Sequence, residues 1–509
     1  MGAGVSRRLL EELGVLRCGL LAGVRYRWYP AVTLQRKDLR KYQGKGVDFV
    51  KKHRRAGLFL DMGLGKTIIT LTAAADLLSA GVVNKILLVA PLRPAQGVWR
   101  QEARKWQHTK HLTFKMLTGN ERQRLLALNS SAQIHVINVD NFRWLLNVLR
   151  GRARKYGWPY DMLVIDESSM FKTPKSKRFS SLRYQVKRFD RRVILTGTPA
   201  PKGLLDLWSQ IFILDEGQRL GAQVERYRSR FFTPGKEREN GSRTQFGYTP
   251  DLTAEQQITE LISPLVLTMR AEDWLELPPT IKQEVYVDLP PAARKTYKQL
   301  EKEMFLEMEM GSTEALSAAS LSSKCWQLAN GFIYLEDEAG AKTWQAVHDA
   351  KMEALHEVID GVGGNVLVAY WFKPDLARLK SMFPKAPAIA DCKNERMLAK
   401  LQDEWNAGKH PVMFVHPQGA GHGLNLQGGG NTIVFYSMLW GREFYAQVIE
   451  RIGAARQIST GRDHVMVKHI IARDTVDEVM LQTQRVRHAD ERAVFKMLKE
   501  YREVQDLLA

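Results

Sequence analysis

Residues 60–67 read Leu60-Asp61-Met62-Gly63-Leu64-Gly65-Lys66-Thr67, and their reading sets the fold of everything around them. The apolar run that leads in, Gly57-Leu58-Phe59-Leu60, reads as a strand, and Ile68–Leu78 reads as a helix. Strand, glycine-rich turn and helix start, in that order, are the context a phosphate-binding loop requires. Glycines let backbone N–H groups approach phosphate oxygens, and the helix N-terminus adds a dipole that favours anions. On this reading the backbone of Gly63, Leu64 and Gly65 cradles phosphates, Lys66 reaches the terminal ones and the Thr67 hydroxyl ligates Mg2+. One position departs from the pattern: Leu60 stands where its first glycine falls. Alone, these residues also fit an ordinary strand–turn–helix, so the rest of the chain has to decide.

Further along, Met162-Leu-Val-Ile165 is another apolar strand, and it ends in Asp166-Glu167. In a parallel sheet the carboxyl ends of the strands face the ligand crevice. There Asp166 would hold Mg2+ through water, and Glu167 would orient and deprotonate an attacking water. Acidic pairs at strand ends are common on surfaces too. Its place downstream of Gly-Lys-Thr makes this one a candidate.

Composition narrows the class. At 509 residues the chain exceeds one ordinary core, which predicts two or three domains. With 44% hydrophobic and 26% charged residues, and no apolar stretch near the roughly 18–20 residues that span a bilayer, it reads as soluble and globular without a membrane partner. Cys18, Cys325 and Cys392 are far apart, which excludes a CxxC metal site and argues against a disulfide framework. That usage fits a reducing, cytoplasmic setting. Met1-Gly-Ala-Gly-Val-Ser6 matches a myristoylation pattern, but the match is short. Residues 7–30 mix arginine with short apolar pieces and lack the core of a signal peptide.

The formal net charge of +20 favours a polyanionic partner, nucleic acid or an acidic membrane surface. Residues 172–192 concentrate it, with nine Lys or Arg among 21 positions and one Asp.

Short β-rich apolar runs bounded by turn residues recur at Leu58–Leu60, Ile86–Ala90, Ile134–Ile137, Met162–Ile165 and Val193–Leu195. They predict buried parallel strands of an α/β sheet. The pattern lapses between 216 and 345, where charged helical stretches such as Ala292–Met310 dominate, with a proline-marked join at Leu277-Pro-Pro279 and a loop-like Gly235–Ser242. It returns at Val366–Tyr370, Val412–Val415, Ile433–Tyr436 and Val465–Ile471. The predicted organisation is an N-terminal extension (1–30), a first α/β lobe (31–215), a helical insertion and linker (216–345), a second α/β lobe (346–485) and a C-terminal helix (486–509).

In order, the motifs resemble those of the superfamily-two helicases, specifically the Swi/Snf-like translocases. Leu39-Arg-Lys-Tyr-Gln43 is similar to the family's adenine-reading segment, and Asp61–Thr67 to its Asp-Glu-Met-Gly-Leu-Gly-Lys-Thr loop, one acidic residue short. Val89-Ala-Pro91, Trp99–Trp106 and Asn138–Phe142 resemble segments that contact the tracking strand. Asp166-Glu-Ser-Ser169 stands in for Asp-Glu-Ala-His, so a serine replaces the usual histidine, and Leu195-Thr-Gly-Thr-Pro199 resembles the coupling motif. Val366–Phe372, His422–Gln427 and Trp440 with Gln447–Arg451 resemble the fourth, fifth and sixth motifs, and Thr475–Glu478 the closing helix.

The resemblance implies two RecA-like parallel-sheet lobes with ATP and Mg2+ between them. It implies adenine on Gln43, phosphates on Gly63–Thr67, Mg2+ on Thr67 and Asp166, and Gly423 and Asn425 facing the nucleotide from the second lobe. Catalytic roles pass to Lys66, Asp166, Glu167 and the arginines of the sixth motif. That motif usually reads Gln-x-x-x-Arg-x-x-Arg-x-Gly-Gln, and here its second arginine falls on Ala454. Either a two-residue shift lets Arg456 act as the finger, or Arg451 acts alone and turnover is weak. The implied partner is nucleic acid, double-stranded DNA held through its backbone with a steep salt dependence. Lys172, Lys175, Lys177 and Arg178 are candidate contacts. An RNA-directed motor and a catalytically weak nucleic-acid-binding scaffold stay open as alternatives. Trp99 and Trp106, seven apart on a helix, read as core rather than a base-stacking platform. The build is more like the short translocases of bacteria and their viruses than the long eukaryotic remodellers.

Overall fold

The computed structural model describes residues 33–92, 94–201, 203–234, 248–309, 315–336, 342–420 and 424–486. The extension read at 1–30, the loop at Gly235–Ser242 and positions 487–509 of the C-terminal helix lie essentially outside the described residues.

In chain order the first lobe contributes β1 (Arg55–Leu60), β2 (Ile86–Ala90), β3 (Phe114–Met116), β4 (Ile134–Asn138), β5 (Met162–Asp166) and β6 (Arg191–Thr196). A small antiparallel ribbon follows, β7 (Phe232–Pro234) with β8 (Tyr248–Pro250), then β9 (Val266–Met269). The first sheet is parallel throughout, in the order β3-β4-β2-β5-β6-β1-β9. Its central strands are apolar and buried on both faces. Leu58 and Leu60 point into one core and Phe59 into the other, and along β2 Leu87 and Val89 oppose Ile86, Leu88 and Ala90. That period-2 division between two cores is why the runs are continuously hydrophobic rather than alternating.

The second lobe holds β10 (Thr280–Val287), an antiparallel ribbon of β11 (Phe332–Glu336) and β12 (Lys342–Ala346), then β13 (Val366–Ala369), β14 (Val412–Val415), β15 (Thr432–Phe435) and β16 (Val465–Ala472). Its sheet is also parallel, in the order β10-β16-β15-β13-β14. Again the strands split between two cores, with Leu367, Met413, Ile433 and Val467 on one side and Val366, Phe414, Val434 and Ile470 on the other.

The middle segment differs from its prediction as a helical insertion over 216–345. β9 completes the edge of the first sheet beside β1, and β10 the edge of the second beside β16. The chain therefore passes between lobes at 270–279, and Leu277-Pro278-Pro279 sits in that passage. β9 is four residues long, too short to interrupt a helical pattern, and β10 is an edge strand whose residues are mostly exposed, so no apolar run marks it. Gly57 lets β9 close on β1, because a Cβ there would lie 2.8 Å from Val266 Cγ1. The helices Pro291–Glu309 and Ala315–Ala329 join the second lobe through Tyr297, Cys325 and Trp326. Among the described residues no helix is long and apolar enough to cross a membrane.

Candidate active site

In the first sheet β5, β6 and β1 are neighbours, so their carboxyl ends lie within roughly 10 Å of one another at the usual strand spacing. The loop after β1 turns through Gly65, at φ +81°, a left-handed conformation costly for any residue with a Cβ. Gly65 is also the N-cap of the helix Lys66–Ser79. Lys66 Nζ bridges the loop, donating to Leu60 O at 2.7 Å and Asp61 O at 3.3 Å. Burial pushes its pKa below the ordinary lysine value, opposed first by Glu167 and then by Asp166. The Leu60 departure has a simple reason: its side chain is buried in the core and its carbonyl holds Lys66, so no glycine is needed. Leu64 is likewise buried, and presents only backbone to the loop.

At the end of β5, Asp166 Oδ2 accepts from Trp99 Nε1 at 2.9 Å. Burial raises the Asp166 pKa, and the indole opposes it. Glu167 adopts φ +62°, rare for a residue with a side chain and a conformation that must be held by its surroundings. Its Oε1 accepts from Ser169 Oγ at 2.7 Å and Thr196 Oγ1 at 2.8 Å. Burial, then the nearby Glu443 charge, push the Glu167 carboxyl up to about 7 against those two donors.

The second lobe faces these groups across a cleft of about 460 Å³, lined by Lys66, Thr67, Asp166 and Glu167 on one side and Arg451 and Arg456 on the other. Arg451 donates from Nε to Gln447 O at 2.9 Å and from a terminal nitrogen to Leu424 O at 3.2 Å. Burial and the neighbouring Arg456 lower its pKa to about 9. Arg456 donates to Asn425 Oδ1 and to Leu424 O, while its Nε is buried without a hydrogen-bond partner among the described residues. Both polar atoms of the Gln447 amide, on the same cleft, are also buried without a partner among the described residues. Ala454 borders a smaller neighbouring cavity of about 220 Å³ with Asp61 and Glu450 instead. Ala455 closes on the loop, where a Cβ at Gly63 would meet its own at 3.0 Å.

Most predicted residues thus converge: Gly63, Gly65, Lys66, Thr67, Asp166, Glu167, Asn425, Arg451 and Arg456 share one cleft. Gln43 stands behind the loop, its Oε1 accepting from Arg40 N at 2.9 Å and its Nε2 donating to Leu64 O at 3.4 Å. Gly423 lies outside the described residues. Trp99 and Trp106 are core, but Trp99 also holds Asp166, a role its helical spacing gives no hint of. Lys172 is turned inward onto Glu443 at 2.8 Å, and Arg191 and Arg192 are buried on backbone carbonyls, whereas Lys175 and Lys177 are exposed. Glu443 is a participant that no motif in the sequence marks, whereas Thr196 belongs to the Leu195–Pro199 motif, whose reading does not assign it to Glu167.

The SNF2-related domain family model matches residues 42–330. Putative protein p41 of Acyrthosiphon pisum secondary endosymbiont phage 1 is 37% identical over 473 residues, covering 90% of this chain and 98% of that protein. An uncharacterized ATP-dependent helicase of Mycoplasma pneumoniae is 25% identical across 88% of this chain and 41% of its own length. Nuclear protein STH1/NPS1 of Saccharomyces cerevisiae is 22% identical across 87% of this chain and 34% of its own length. The chain therefore spans nearly all of the phage relative but less than half of these cellular ones.

Proposed function

Since the chain belongs to the SNF2-related family, we propose that it is an ATP-driven nucleic-acid motor, hydrolysing ATP between its lobes to step along double-stranded DNA. One observation carries this reading: a lysine and an acidic pair from the first lobe and two arginines from the second face a single cleft. Such a site assembles only when the lobes come together, and that lets hydrolysis drive a change in their separation.

The residues divide the work. Lys66 leaves the Leu60 and Asp61 carbonyls for the terminal phosphates, and the backbone of Gly63–Thr67 cradles them. Thr67 and Asp166 offer a hydroxyl and a carboxylate on the same wall, the hard oxygen donors that Mg2+ takes alongside water and phosphate. These two would hold Mg2+, whose charge offsets that on the phosphates. Glu167 orients the attacking water and takes its proton, a role suited to a carboxyl raised toward neutrality. Arg456 brings its unpartnered Nε to the charge that develops on the γ-phosphate, serving as the finger from a place just beyond Ala454 in the chain. Arg451, bonded to the Gln447 and Leu424 carbonyls, supports that wall. Gln43 props the loop from behind, and reaches adenine by exchanging its long Leu64 bond.

ATP turnover measured without polymer, and with double-stranded DNA, single-stranded DNA and RNA, tests the reading in wild type and Lys66→Ala. Double-stranded DNA gives the largest stimulation, and Lys66→Ala removes roughly 10²-fold or more of the rate. No polymer-stimulated turnover under any condition overturns the motor, and stimulation by RNA alone reassigns its track.

A further inference from the structure

We propose that Glu443 is a positioning residue for Glu167, acting from the second lobe through the hydroxyl of Ser169. The proposal rests on the assignment of Glu167 as the base of ATP hydrolysis. Ser169 Oγ lies 2.7 Å from Glu167 Oε1 and 3.0 Å from Glu443 Oε1, so it is shared between two carboxylates that belong to different lobes. A serine hydroxyl has one hydrogen and donates it to one acceptor at a time. Lys172 Nζ, on the Ser169 segment, donates to the other Glu443 oxygen at 2.8 Å and so turns Oε1 toward Ser169. The Lys172 and Glu443 side chains are only 19% and 17% exposed, which limits screening of the pair. Glu443 also lies in the first turn of the helix Arg442–Ile449, where a carboxylate is favoured by the helix dipole.

The arrangement links lobe approach to the readiness of the base. Ser169 and Thr196 both lie within donor distance of the same Glu167 oxygen, and Glu443 competes with that oxygen for the Ser169 hydrogen. When the Ser169 hydrogen turns to Glu443 during turnover, Glu167 Oε1 keeps Thr196 as its donor with an acceptor site open to the water proton. Ser169 stands where the resembled family carries histidine, so in this chain the link runs through a serine hydroxyl.

The test is steady-state ATP turnover of the full chain on saturating double-stranded DNA, resolved into kcat and KM, for Glu443→Ala, Ser169→Ala, the double variant, and Ser169→Thr with and without Glu443→Ala. Glu443→Ala is expected to lower kcat roughly 10- to 100-fold, as misplacement of a catalytic group does, with KM for ATP within about twofold of wild type. In the Ser169→Ala background the same change removes nothing more, and Ser169→Thr restores the dependence on Glu443. Additive losses, or a loss confined to KM, overturn the proposal by making Glu443 a simple lobe-to-lobe tether. A wild type without turnover on any polymer overturns the ATPase reading and this proposal together, whereas wild-type turnover with additive losses overturns only the role of Glu443.

Discussion

The two walls of the cleft are built in different ways. The first-lobe wall comes from one turn and one strand end, where Lys66, Thr67, Asp166 and Glu167 are placed by backbone geometry only a few residues long. The second-lobe wall is made of side chains on and between two short helices, Arg442–Ile449 and Ala454–Gln457, aimed by contacts with Leu424 and Asn425. A backbone-built wall absorbs the loss of a landmark, since Leu60 still offers the carbonyl that Lys66 needs. A wall of side chains cannot: with alanine at 454, the cation sits two residues on and on another face of the same short helix. The interiors differ in the same sense. The first lobe anchors the helix Lys66–Ser79 with an outer pair, Asp76 with Arg36 and Lys51, whereas the second buries Lys351 against Asp477 at 2.5 Å with neither side chain exposed.

The largest effect that would break this contrast is on stability. Asp477→Ala leaves the Lys351 ammonium buried without its carboxylate and is expected to cost about 3–5 kcal/mol of second-lobe stability in a denaturant melt. A loss below about 1 kcal/mol would place the pair among ordinary surface bridges. Next comes the finger. Arg456→Ala is expected to cut DNA-stimulated turnover by roughly 10²-fold or more, at least as much as Arg451→Ala. Adding Ala454→Arg to Arg456→Ala should not restore the rate, because position 454 borders the smaller cavity beside Asp61 and Glu450. Recovery of turnover in that double variant would return the finger to its family position.

The smallest effect sharpens the other side. The hydrogen bond from Arg36, reinforced by Lys51, holds the Asp76 carboxyl down at about 2. A carboxyl depressed in the folded state stabilises it above the ordinary range near 4, and that contribution disappears as pH falls toward the lowered value. Asp76→Asn should therefore cost under about 1 kcal/mol at neutral pH, with the gap from wild type closing between about pH 4 and 2 in thermal melts.

The central strands of both sheets were legible because burial on both faces favours apolar residues, and the runs at Ile86–Ala90 and Val412–Val415 match their strands end to end. β9 and β10 were not, one being too short and the other too exposed to leave a pattern. The cleft's loop and acidic pair were legible from spacing. Trp99 was readable as core but not as the donor that holds Asp166, since helical spacing reports the face a residue occupies and not what its indole N–H meets. Glu443 left no local trace, because its partners Ser169 and Lys172 lie 274 and 271 residues away.

From the sequence alone came the chemistry of the phosphate loop, the acidic pair, the two parallel sheets and the basic character. These follow from spacing within a few residues, where covalent geometry fixes what each side chain can reach. The tertiary structure alone decided where the chain crosses between lobes, that Arg451 and Arg456 line the cleft with Lys66 while Ala454 borders the neighbouring cavity, and that Glu443 meets the Glu167 segment. Each of those depends on distances between residues hundreds of positions apart, which only the packing of one lobe against the other defines.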